Sequence, residues 1–589
     1  MPTPSRALRF ALLALLAVSA LGLLERAVLV DLGSKRDLHR VSYVGSANCL
    51  RCHADHDRSW RATFHRTMTQ AASITSVAGE FAGQTLDYFG VKAQLERGAG
   101  GEFVMRYGGA GFPERRFVIE KTVGSRRYQQ YVASLDGEFV RLPVAFDLTT
   151  RRWFHMNGAF LTPDPEPSPA LSQRDYERHL TRWNDNCIFC HNVAPNPGRR
   201  SSGFQSEVAE LGIACEACHG PGGEHAERNQ NPLRRFTLHL GGAGDPTIVN
   251  PGRLDHERAA DLCGRCHGQR ITDDVGAFLS HGDPFVPGED LALYSAPLWR
   301  DTTLQGHSSV FEARFWEDGT PRLTAYEYQG LLQSPCYQRG ELSCTSCHGM
   351  HDGDPRGQLR SGLDRTRVCT ECHRELREQP SQSAHARHPG TPPDCVSCHM
   401  PSIVYGVLAT HPSHRIETPE PARAYRTGRP DACTLCHTDR TRAWAARERR
   451  RLFGGELPIE PEATAWSEME TQLLAGDPIE RAIAAQALAT PLGGPQTPHA
   501  GRARALLLEA IEHDPYPVVR RFAARALAAL EPTLRARLAQ FVPETPTDQR
   551  SRTVNELKQS LAGRVHALPA EVLSSLRERA SASAIEIGE

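Results

Sequence analysis

Residues 344–351 read CTSCHGMH. Their first five letters form a Cys-x-x-Cys-His frame that recurs along the whole chain. Eight copies are present: Cys49/Cys52/His53, Cys187/Cys190/His191, Cys215/Cys218/His219, Cys263/Cys266/His267, Cys344/Cys347/His348, Cys369/Cys372/His373, Cys395/Cys398/His399 and Cys433/Cys436/His437. They use every cysteine except Cys336. At the chain's own Cys and His frequencies, chance would supply on the order of 0.02 such units. What these units hold therefore decides what kind of core the chain builds.

Four chemistries use paired cysteines. Structural zinc needs four N/S ligands, so two CxxC units could make one site, but a His after the second Cys in every copy has no role there. Dithiol redox motifs occur once per domain beside a βαβ pattern. Disulfides do not demand a two-residue spacing each time. Covalent c-type haem uses every feature, because two thiols tether the porphyrin and the adjacent His is carried round to the iron. The expected cofactors are eight covalently bound c-type haems. The sixteen paired cysteines would be the attachment points, and His53, His191, His219, His267, His348, His373, His399 and His437 the proximal ligands.

The second axial ligand separates electron carriers from irons that bind substrate. Eighteen His lie outside the CxxCH units, fourteen of them between His56 and His414, so imidazoles outnumber irons. His351 follows His348 by three residues and cannot reach the opposite face of the same ring, so it reads as a ligand to a neighbouring haem. His225 closes CHGPGGEH, His65 sits in SWRATFHRTM, His385 and His388 in HARHPG, and His411 and His414 in THPSHR. These seven are the distal candidates. His39, His155, His179 and His239 read as ordinary residues, Met400 stands too close to His399 to serve its iron, and Cys336 reads as a packed small side chain. No catalytic residue is assigned.

The 589 residues carry a formal net charge of -1 and a pI near 7.1, which gives no electrostatic footprint for nucleic acid. Arg6 and Arg9 precede the uncharged, largely apolar run Phe10–Leu24. Residues 1–30 are expected to be a signal peptide or an N-terminal anchor in the inner membrane, which places the chain in the periplasm or elsewhere outside the cytoplasm. Residues 31–79 hold the first haem unit. Residues 80–165 lack Cys, and short aromatic and β-branched runs around the turn LDGEF (135–139) predict a small antiparallel β insertion. Residues 166–445 form the multihaem domain, mainly α and irregular, where macrocycles replace missing apolar side chains. In residues 446–589, DPIERAIAAQALA (477–489) and DPYPVVRRFAARALAAL (514–530) recur with an offset of about 37–39 residues. An α-helical, HEAT-like solenoid is expected there, with an unrelated Ala-rich bundle as the alternative.

IACEACHGPGGEH (213–225), YEYQGLLQSPCYQRGELSCTSCHGMH (326–351), PDCVSCHMP (393–401) and PDACTLCHTDRTRAWA (430–445) resemble exported multihaem cytochromes of the cytochrome c-552/4 type and, more distantly, hydroxylamine oxidoreductase. The resemblance covers residues 43–445. It implies a mostly bis-His haem array that passes electrons between partners, with His225, His351 and one or both of His385 and His388 as distal ligands. No CxxCK occurs, so the Lys-ligated haem of pentahaem nitrite reductases has no counterpart, and no cross-linking Tyr is identified. The expected function is electron transfer to redox protein partners, with the helical tail as a docking surface. The alternative is a multihaem oxidoreductase acting on a small nitrogen or sulfur compound at one open haem.

Overall fold

The computed structural model describes residues 10, 13–20, 37–165, 171–242, 244–455, 466–489 and 497–588. Most of the segment read as a leader or anchor lies outside them. Among the described residues, no helix is long and apolar enough to cross a membrane.

Between the first two CxxCH units the chain builds a ten-stranded sheet. Its strands are β1 (Thr69–Ala71), β2 (Gln84–Tyr88), β3 (Val91–Arg97), β4 (Phe103–Gly109), β5 (Phe112–Val123), β6 (Tyr128–Leu135), β7 (Glu138–Arg141), β8 (Val144–Asp147), β9 (Arg152–His155) and β10 (Thr181–Arg182). The order is β10-β7-β6-β5-β4-β3-β2, with β1 added on β5 and β8 joining β6 to β9. The sheet is larger than the small insertion expected. β1 and β10 lie outside residues 80–165, and strands of three and two residues carry no alternation for a sequence to display.

In β3 the pattern is plain: Val91, Ala93 and Leu95 are buried, while Lys92 and Gln94 are exposed. Asp136 and Gly137 both take positive φ, which gives the two-residue turn that fixes the β6–β7 register at Leu135 against Glu138. β6 is buried on both faces. Tyr131 and Ala133 enter the sheet's own core, whereas Val132 joins a second cluster with Trp183, Cys187 and Ile188. The sheet is thus a wall, one face packed on itself and the other turned to the cysteine-bearing region.

That region is made of short helices and loops; His256–His267, with 12 residues, is capped by the Asp255 side chain. Beyond it, Glu468–Ala475, Pro478–Ala487, Pro498–His513, Pro517–Leu530, Thr547–Ser560 and Ala570–Ala582 are helical. The two recurring sequences become Pro478–Ala487 and Pro517–Leu530, each opened by a proline in its first turn, and they pack on each other. Arg481 and Arg520 hold equivalent places: both are fully buried and donate to a carbonyl just before their helix, Gly476 and Asp514, at 2.6 Å each. The last helix, Ala570–Ala582, packs back on the first, Glu468–Ala475. Their apolar core also takes in Leu161, Trp316, Ile403 and Tyr405 from the preceding regions.

Candidate haem cavity

Each CxxCH unit needs its thiols and its imidazole on one side of the chain, and a single helical turn supplies this. The His amide donates to the first Cys carbonyl in His53–Cys49 (2.9 Å), His348–Cys344 (2.9 Å), His373–Cys369 (2.9 Å) and His437–Cys433 (2.8 Å). Units 215–219, 263–267 and 395–399 lie within helices, whereas 187–191 is a turn.

All eight units open into one connected cavity of about 3720 Å³, several times the ~300–1,000 Å³ of a single small-molecule site. All eight proximal imidazoles and every paired cysteine except Cys187 line it. The seven distal candidates line it as well, together with His56 and Cys336.

The imidazoles face each other in pairs across this space. Ring centres stand 6.2 Å apart for His53 and His225, 6.2 Å for His219 and His351, and 6.2 Å for His267 and His65. The separations are 6.3 Å for His348 and His414, 6.0 Å for His399 and His385, and 6.1 Å for His437 and His388. Two imidazoles on opposite sides of one metal, each with its nitrogen about 2.0–2.1 Å away, place their ring centres about 6 Å apart. The donor set and the space therefore fit covalently held haem. His191 and His373 have no such imidazole opposite them among the described residues. His411 instead donates from Nε2 to the Gly406 carbonyl at 2.9 Å. His56 lies 6.0 Å from His53 on the same helical run and 4.7 Å from His351, a neighbour the sequence reading did not single out.

The second nitrogen of each ring decides which one is left for a metal. Nδ1 of His219 donates to the Val249 carbonyl at 2.8 Å, that of His348 to Gly357 at 2.9 Å, and that of His399 to Glu417 at 2.8 Å, leaving Nε2 aimed into the cavity. His225 Nδ1 meets Asp245 at 3.0 Å, a carboxylate also held by Arg234 through both oxygens. His267 differs, since its Nδ1 lies 3.7 Å from the Glu327 carboxylate. Burial lowers the imidazole pKa at His53, His219, His348, His399 and His437, and takes His191 down to about 4. At His267 burial works the same way, but Glu327 overrides it and the pKa rises to about 9.

Thiols of different units also meet. Cys49 approaches Cys215, Cys190 approaches Cys266, Cys263 approaches Cys344 and Cys369 approaches Cys395. Cys218 lies within electrostatic reach of Cys266, Cys347 of Cys372, and Cys398 of Cys436. Numbered along the chain, the units thus follow one another as one, three, four, five, six, seven and eight, and unit two branches off unit four.

The segment after β5 adds cations to the cavity wall. Val123, packed with Cys187 and Ile188, leads into the segment 124–128 that lines the cavity. Arg127 donates to the Val407 carbonyl at 3.2 Å. Burial, then the charges of Arg127 and Arg126, pull the His411 pKa down, so the two guanidiniums and that ring share one corner. In the sequence, RRYQQY showed only a strand start; Arg126 and Arg127 gain meaning from the fold.

The family model of the doubled CXXCH motif matches residues 337–378. The dissimilatory sulfite reductase MccA of Wolinella succinogenes is 25% identical over 208 residues, which is 34% of this chain and 24% of that protein. The match thus spans about a quarter of that relative's length. Among solved structures, the outer cell wall cytochrome OcwA aligns with 88% of this chain and 99% of its own at 15% identity, with a TM-score of 0.46. The doubled motif and the reductase relative support a multihaem c-type cytochrome with covalently attached haem.

Proposed function

We propose that the chain is an octahaem c-type cytochrome that transfers electrons outside the cytoplasm. The supporting observation is the set of six imidazole pairs at 6.0–6.3 Å inside one cavity. When bound, the haem irons supply one-electron redox chemistry. The protein's part would be to close six of them: His225, His351, His65, His414, His385 and His388 would hold those irons together with the proximal imidazoles they face and leave no room for substrate there. The backbone carbonyls behind His219, His348 and His399 keep those ligands in one tautomer. Donor and acceptor are redox proteins, the helical tail is a docking surface for them, and the N-terminal run exports or anchors the chain.

Mass spectrometry of the purified protein tests the count, with eight added porphyrins expected and none sinking the reading. Low-temperature EPR tests the closure, with six low-spin centres expected for every two that are open.

A second reading has its own observation. His191 faces no imidazole among the described residues, and its Nδ1 is buried without a hydrogen-bond partner. Arg126 and Arg127 line the same cavity, and an iron at His191 would then admit a small oxyanion, in keeping with the name of the sulfite reductase relative. Here Arg126 and Arg127 would bind and orient the anion, while His411 stays neutral with its Nε2 donating to Gly406. Sulfite added to the oxidised protein should then perturb a high-spin EPR signal. An unperturbed signal leaves the conduit alone.

A further inference from the structure

We propose that Glu327 is a tuning residue that lowers the reduction potential at the His267 centre, the junction of the array. The inference rests on the haem reading above. Three carboxylates stand beside axial imidazoles among the described residues, and only Glu327 is largely enclosed and free of a guanidinium partner, with His414 as a more distant second neighbour. Asp245, beside His225, is held by the two guanidinium nitrogens of Arg234. Glu375, 3.5 Å from His373, has a side chain 71% exposed. Glu327 Oε2 is shut off from solvent, makes no hydrogen bond, and has His267 Nδ1 3.7 Å away. It opens the helix Glu327–Leu332, whose Tyr328 is anchored by a 2.6 Å bond to Asp261 on the helix that carries His267.

His219, His348 and His399 instead donate to neutral backbone carbonyls at 2.8–2.9 Å. A carboxylate 3.7 Å from Nδ1 polarises that N–H through its charge, without a hydrogen bond, and so makes the ring a stronger donor through Nε2. It also puts an unneutralised negative charge beside the centre. Both effects favour the ferric over the ferrous state.

Position makes this more than a local adjustment. Cys266 touches Cys190 of unit two and Cys263 touches Cys344 of unit five, while Cys218 of unit three lies within reach of Cys266. Electrons between either arm and the branch at His191 must cross the centre that Glu327 disfavours for reduction. Glu327 thereby holds the branch apart until the arms are strongly reduced.

The test is a spectroelectrochemical titration of the haem-loaded full chain. Glu327→Gln keeps size and removes charge. One midpoint should rise most, by about a tenfold change in its equilibrium, 59 mV for one electron, with any smaller rise confined to the neighbouring His348–His414 centre and porphyrin count and low-spin fraction unchanged. Midpoints all equal to the parent's would overturn the inference. Should the Gln variant fail to accumulate, Glu327→Asp keeps the charge but lengthens the contact. A smaller rise of the same midpoint is then expected, and no rise is equally fatal. A parent chain without porphyrin mass defeats the haem reading itself, whereas unshifted midpoints in a fully loaded variant defeat only the role of Glu327.

Discussion

His351 sits three residues beyond His348, so the ring it faces has to belong to another unit, and that ring is His219. The spacing alone made it legible that the ring belongs to another unit, and only the fold shows that it is His219. His414 opposite His348, and His65 opposite His267, were legible only as candidates, because their pairing is set by how distant segments cross. Glu327 was not legible at all: its neighbour His267 is 60 positions away, and nothing in YEYQ distinguishes it from any surface acid. His351→Ala should convert one low-spin centre to high-spin while all porphyrin stays attached; an unchanged EPR spectrum would remove His351 from the axial set. His411→Ala should leave the number of low-spin centres as it is, since that ring faces Gly406 rather than a proximal His.

At the level of elements, the sheet was legible where strands alternate and carry a turn signal, as in β3 and the β6–β7 hairpin, and not where two or three residues pair by backbone alone. What the sheet positions could not be read either, because that depends on which face of β6 meets the cysteine region. β9 supplies a test of its packing. The ring of His155 stacks on Tyr88 of β2 at 3.7 Å with 7° between planes, and its Nε2 has no partner. Burial, then the charge of Arg178, takes the His155 pKa from 6.5 down to about 3. The unfolded chain therefore binds this proton first. Stability is whole above pH 6.5 and falls as pH drops toward 3, by roughly 1.4 kcal/mol per unit within that window. His155→Phe keeps the stack and removes the titration. Acid unfolding followed by near-UV circular dichroism should shift to lower pH in this variant, and an unshifted midpoint would show that other groups govern the acid limb.

Across the whole molecule, the change of composition after residue 445 marks where helices take over, but it gave no sign that the two parts share a core. Leu161, Trp316, Ile403 and Tyr405 pack among the terminal helices, and Arg322 pairs with Asp477 in their N-cap. Removing residues 456–589 strips that cover and leaves Arg322 without its carboxylate, a loss of about 3–5 kcal/mol for a buried pair. The truncated chain should keep its covalent porphyrin, because thioether bonds do not depend on packing, yet be cut much faster in limited proteolysis. Equal resistance would make the tail a separable module. The meeting of thiols from remote units carries a consequence for biosynthesis. Cys49 reaches Cys215, and Cys190 reaches Cys266, only when the segments between them have folded back. A ligation enzyme has to reach each pair before that closure buries it. The nascent polypeptide must therefore stay open until loading is done.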